Sequence, residues 1–318
     1  MGLSLPRCTA RTSDNRCDLA RFEPGLASPA TELAGPVGPC TIARMIPETS
    51  WATTTITDHI AEVSLRAQGK ASRMGPAFWA EMPALFAALD ASEDVRVVVL
   101  RGEGESFSHG LDLAAMGPEL ASVIGPGSGA RERAKLYALI QRLQRAITAV
   151  AVCSKPVIAA IHGWCIGGGV DLTAACDIRI CAADAKFSVR EVRLAMVADV
   201  GTLARLPAII GEGATRELAL TGADIDASRA LRLGLVSDVH ATPDALWTAA
   251  RAMAAQIAAN PPLTVQGIKQ VLNTRSERAA AESLQTVAMW NAAQLPSQDL
   301  GEAMAAFVQR REPKFTGR

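Results

Sequence analysis

The sequence predicts an α/β fold that ends in a helical region. Continuous β-branched and aliphatic runs alternate with segments whose apolar residues recur at helical spacing. The connections between them are short, as in strand–helix–strand units. From about residue 243 onward the strand pattern stops.

Residues 1–45 stand apart. They mix Pro, Gly, Ser and charges without a sustained period and lack the apolar stretch of a secretory signal. Asp14, Asp18, Glu23 and Glu32 argue against a transit peptide despite the arginines. The segment reads as a poorly ordered extension, with Met45 a candidate first residue and a docking tail the functional alternative.

WATTTITDHIAEVSLRA (51–67) is rich in Thr, Ile and Val and broken at TDH, which reads as a hairpin. GPAFWAEMPALFAALDAS then places Phe78, Met82, Leu85 and Leu89 on one helical stripe. VRVVVLRG (95–102) is the kind of run that a strand buried on both faces requires. RERAKLYALIQRLQRAITAV is helical through Leu136, Leu139, Ile140, Leu143 and Ile147. KPVIAAIHG and DIRICAA are two further buried strands, the latter opening on Asp177, which is read as pairing locally. DALWTAARAMAAQIAA and ERAAAESLQTVAMWNAA are helical, with a Pro pair after Asn260 to break them. The expected organisation is an extension at 1–45, an α/β core at 46–242 and a helical region at 243–318. No exact repeat is visible.

Composition excludes several function classes. The 32 basic and 32 acidic residues leave no net charge to attract nucleic acid or anionic membrane. Hydrophobic residues at 49% allow a sizeable core. No apolar run reaches the roughly 18 residues that span a bilayer. The seven cysteines show no C-x-x-C spacing, which disfavours zinc or a disulfide framework and suggests buried or free thiols. A cytoplasmic protein is expected, without metal.

Two glycine-bearing stretches carry chemistry. In HGWCIGGGVDLTAACD, Gly167, Gly168 and Gly169 follow a strand and open a helix, where unpaired N–H groups face outward. The motif is neither G-x-G-x-x-G nor a P-loop. In GESFSHGLDL, Gly110 permits a turn that aims the Leu111 N–H into a cleft. Two such amides, from separate strand ends, make an oxyanion hole. Further on, VREVRLAMVADVG sets Glu191 and Asp199 among apolar residues, where an unpaired carboxylate is expensive and holds its proton more tightly.

On KPVIAAIHGWCIGGGVDL, CDIRI, FSVREVRLAMVADVGTLARLP and DLGEAMAAFVQRREPKFTGR, residues 46–318 resemble the crotonase family of enoyl-CoA hydratases and isomerases. The resemblance implies a spiral of ββα turns whose C-terminal helices pack trimers that pair into hexamers. It implies an acyl-CoA thioester substrate, held at its carbonyl by the amides of Leu111 and Gly168, and no cofactor beyond the CoA of the substrate. Ser108, His109, Gly110 and Gly167 fall in the substrate-binding stretches, and Lys70 matches a basic position near the CoA phosphates. Arg73 departs from the small residue usual there.

Hydratases of the family carry two glutamates, matched here by Asp171 and Glu191, and usually a glycine where Asp199 stands. The triple Asp171, Glu191, Asp199 resembles instead the dienoyl-CoA isomerase branch. That implies Asp199 as the base at C2, Glu191 as the acid at C6 and Asp171 as a group orienting or tuning Glu191. Hydration of a 2-enoyl-CoA is the alternative, and non-catalytic acyl-CoA binding a further one. His162 is read as a packing group, His109 as offering its backbone, and Trp164 and Cys165 as core.

Overall fold

The computed structural model describes residues 46–125 and 128–318, so the expected extension 1–45 lies outside the described residues. β1 (Ala52–Thr57) and β2 (Ile60–Leu65) form the expected hairpin. Asp58 and His59 close it at φ 52° and 66°, the positive values that match a two-residue turn to strand twist. β3 (Ala71–Met74) leads into α1 (Pro76–Ala91). β4 (Val97–Gly102) and β5 (Ser106–Leu111) precede α2 (Leu113–Ile124) and α3 (Ala130–Val152). β6 (Val157–Ile161) and β7 (Trp164–Ile166) precede α4 (Gly168–Ala174). β8 (Ile178–Ala182) and β9 (Lys186–Ser188) precede a 3₁₀ turn at Glu191–Leu194, then α5 (Thr202–Ile210) and α6 (Glu212–Thr221). β10 (Asp224–Asp226), α7 (Ala227–Leu233) and β11 (Asp238–His240) end the strands. α8 (Pro243–Ala258), α9 (Pro262–Gln294) and α10 (Gln298–Gln309) follow.

The path is a spiral of strand–strand–helix turns. Each turn sends its first strand to one sheet, ordered β1-β2-β4-β6-β8-β11, and its second to another, ordered β10-β9-β7-β5-β3. Side chains of the first sheet alternate between two cores, as the two-residue period of a strand requires. Val98, Leu100, Ala159 and Ile161 face the main core between the layers. Val97, Val99, Ile158 and Ala160 meet Leu246, Ala250, Ala254 and Ala258 of α8. The alanines at four-residue spacing let α8 lie close on the sheet. The strands therefore end near the expected boundary at 242, yet α8 belongs with the sheet and only α9 and α10 lie beyond it.

The long helix α9 packs on α3 and α5. One anchor is Asp177, which the sequence reading paired locally. Its carboxylate instead accepts from Lys269 of α9 at 2.6 Å and from the Val157 amide at 2.7 Å. The buried ammonium takes the nearest charge that satisfies it, and this lies far away along the chain.

Candidate active site

β5 and β7 run side by side and end together, and their ends build the site. Gly110 has φ +74°, and a Cβ there would lie 2.7 Å from the Ile166 oxygen and 2.8 Å from the Gly168 nitrogen. Only glycine lets the two backbones approach this closely. Asp112 donates its N–H to Met74 of β3 at 3.1 Å, so the alternation of a strand turns the Leu111 N–H to the β7 side. There the chain has already turned, at Gly167 (φ 52°, ψ −117°), into α4. Gly168 is the first helical residue, so its N–H has no acceptor within the helix. Leu111 and Gly168 line the same cavity, of about 1170 Å³.

Asp171, Glu191 and Asp199 line it too. Asp171 is buried in α4, and its Oδ1 accepts the Thr202 amide at 2.5 Å, at the first residue of α5. Burial raises its carboxyl to about 6, held down from further by the Thr202 amide and the Arg205 charge. Glu191 begins the 3₁₀ turn beneath Gly167, and its Oε2 is buried without a partner. Burial first, and the Asp171 charge second, push it to about 8. Asp199 precedes α5, and burial pushes it to about 7 against a hydrogen bond from Asn291. Three carboxyls thus share one cavity in three unlike settings. Asp171 holds the charge best and Glu191 holds the proton best.

The enoyl-CoA hydratase/isomerase family profile matches residues 55–318. The chain belongs to this family. The Δ3,5-Δ2,4-dienoyl-CoA isomerase of Dictyostelium discoideum is 42% identical over 80% of this chain and 87% of its own length. That of Arabidopsis thaliana is 44% identical over 75% and 86%. An enoyl-CoA hydratase/isomerase structure from Mycobacterium paratuberculosis superposes with a TM-score of 0.71 at 27% identity, covering 80% of this chain and 97% of that one. These relatives overturn the cytoplasmic expectation, because the first isomerase is mitochondrial and the second peroxisomal. Unpaired thiols mark reducing surroundings, and that condition does not single out the cytoplasm.

Within this family frame the other expected binding residues divide. His109 and Gly167 line the cavity, whereas Ser108, Gly110 and Lys70 do not. Ser108 is fully buried and accepts the Gly110 amide at 3.1 Å, so it shapes the turn. Lys70 is an exposed group pairing with Glu105 at 3.2 Å. Burial, with Arg73 and Arg190 nearby, lowers the pKa of His109, and its Nε2 is buried without a partner. His162 is buried behind the site, bonded to the Gly104 carbonyl and edge-on to Trp247.

Trp164 corrects the sequence reading. Cys165 is core, but Trp164 lines the cavity with the Arg190 guanidinium 4.8 Å over its ring. The sequence reading also missed the wall supplied by the C-terminus. Residues after α10 fold back, bringing Arg311, Pro313 and Phe315 to the cavity. Glu302 binds Arg311 and the Lys314 amide, and Asp299 binds the amides of Thr316 and Gly317. Two carboxylates near the start of a helix whose C-terminal continuation is polar and Pro-broken were the available signal.

Proposed function

We propose that the protein isomerises 3,5-dienoyl-CoA to 2,4-dienoyl-CoA by proton transfer between carboxyl groups. The observation that carries this is the unlike setting of Asp199 and Glu191 beside two backbone amides in one cavity. The dienoyl-CoA isomerases named above, 42% and 44% identical, support the same reaction.

The thioester oxygen sits between the amides of Leu111 and Gly168. Asp199, ionised, takes the proton from C2. The C2 electron pair forms C2=C3, the C3=C4 pair moves to C4=C5, and the C5=C6 pair takes a proton at C6 from Glu191. In the intermediate the charge rests on the thioester oxygen, where preorganised amides stabilise it most. Asp171, raised by burial only to about 6 because the Thr202 amide and Arg205 oppose it, is the most readily ionised of the three and favours the protonated form of Glu191 by repulsion. Asp199 ends the cycle protonated and Glu191 ionised, so one proton returns between them through solvent. The rearrangement is redox neutral and calls for no cofactor besides the CoA of the substrate.

Purified protein is expected to convert a 3,5-dienoyl-CoA far faster than it hydrates a 2-enoyl-CoA, both followed by ultraviolet absorbance. Preferred hydration would overturn the reading. The base works deprotonated, so the rate climbs as pH rises through about 7. The acid works protonated, so it falls as pH passes about 8. A narrow bell in kcat is the expected profile.

Assembly as a trimer or hexamer is part of the proposal. Val271 and Leu272 on α9 and Phe307 and Val308 on α10 are exposed, more apolar surface than a monomer usually leaves to water. Light scattering is expected to give three or six copies of the 33.3 kDa chain, and a monomer mass would overturn it.

A further inference from the structure

Asn291 takes no part in the proton transfers described above, yet it is the side chain that grips Asp199. It lies on α9, 2% exposed. Its Nδ2 donates to the Val197 carbonyl at 2.8 Å and to Asp199 Oδ2 at 2.7 Å. A primary amide has two N–H groups, and both are used here. The acceptors fix which way the amide points, because a carbonyl oxygen only accepts and so must face the NH₂ group. A second buried amide, Gln144 of α3, holds the same residue by its backbone. Its Nε2 donates to the Asp199 carbonyl at 2.7 Å and to Leu284 of α9 at 2.9 Å. The carboxyl and the backbone of Asp199 are thus held by different residues.

We infer that Asn291 is a positioning residue for the isomerase base: it sets the orientation of the Asp199 carboxylate and favours its ionised form. The inference rests on Asp199 being that base. A donor aimed at a carboxylate binds the charged form more strongly than the neutral one. Burial and the facing carboxyl of Asp171 push the other way, and Glu191 also interacts with Asp199. The elements that carry the grip, α3 and α9, present neutral amides to it. Without Asn291, the forces that favour the proton would be opposed by less, and the base would be idle over a wider range of pH.

The test is the pH profile of kcat for dienoyl isomerisation in Asn291→Ala, with Asn291→Ser as a milder second variant. The acid-side limb is expected to move up by about one pH unit, so that activity at pH 6 falls about tenfold while KM changes little. Gln144→Ala, which loosens only the backbone grip, is expected to lower kcat without moving that limb. A limb that stays in place in a folded Asn291 variant overturns the inference. Asp199→Asn, measured alongside, separates the two readings. Full activity there overturns the base assignment and this inference with it. Loss of activity there, with an unmoved limb in the Asn291 variants, overturns the positioning role alone.

Discussion

Asp199→Asn is expected to slow dienoyl isomerisation by at least about a hundredfold, the lower end of what a positioned base contributes. The amide keeps the shape of the carboxylate and an oxygen to accept from Asn291, but it cannot take the C2 proton. KM is expected to change little, and exchange of the C2 proton with deuterated solvent is expected to slow in step with turnover. Stability should move the opposite way. The folded protein holds the Asp199 proton up to about 7 against 3.8 for a free side chain. The native state therefore binds more protons than the unfolded one across that window, and stability declines as pH rises through it. Asparagine has no charge to bury, so the variant is expected to melt at a higher temperature than the wild type at pH 8, with little difference at pH 3. An active site that is costly to fold and gains stability when disarmed is the usual trade between the two. Unchanged isomerisation in a folded variant would make Asp199 a structural residue and leave hydration by Asp171 and Glu191 as the better reading.

The parts of the fold legible in the sequence are those where a period has room to show itself. β4 and β6 read as strands because four or five apolar residues in a row are buried on both faces. α1 and α3 read as helices because Phe78, Met82, Leu85 and Leu89, or Leu136, Ile140, Leu143 and Ile147, fall on one stripe. β7, β9, β10 and β11 have three residues each, too few for any alternation to declare itself. They were invisible, and with them the second sheet. The spiral repeats a backbone path without repeating residues, so it came from resemblance rather than from periodicity.

The site divides in the same manner. Glu191 and Asp199 stand out because carboxyls in apolar sequence demand a reason, and Gly110 and Gly168 because the turns need them, whereas Asp171 comes from the family resemblance alone. The groups that set the behaviour of those acids did not stand out. Asn291 lies 92 residues from Asp199 and Gln144 lies 55 away. A neutral amide on a helix carries no local sign of its partner. Trp164 read as core for a related reason. Aromatic residues beside glycine turns usually pack inward, and only the fold brings Arg190 and Lys186 over its ring.

Gly168→Pro isolates the amide hole more cleanly than any side-chain change. Residue 168 is the first of α4, the helix position where Pro is best tolerated because the N–H there has no helical acceptor to lose. The preceding Gly167 sits at φ 52° and ψ −117°, the mirror image of the extended conformation a residue before Pro prefers, and glycine alone occupies it freely. The substitution therefore removes one N–H while leaving a route for the backbone. It also adds a Cβ 2.9 Å from Met74 Sδ, a contact that a flexible thioether can relieve. Gly168→Ala adds the same Cβ and keeps the N–H, so the pair of variants separates the cost of the Cβ from the loss of the donor, whose place the proline Cδ takes. Turnover of Gly168→Pro is expected to fall below that of Gly168→Ala on the order of a hundred- to thousandfold, the usual effect of losing one oxyanion donor. Circular dichroism and the melting temperature check that both variants are folded. Equal rates in two folded variants would mean that the oxygen of the substrate leans on Leu111 alone, or that the hole lies elsewhere.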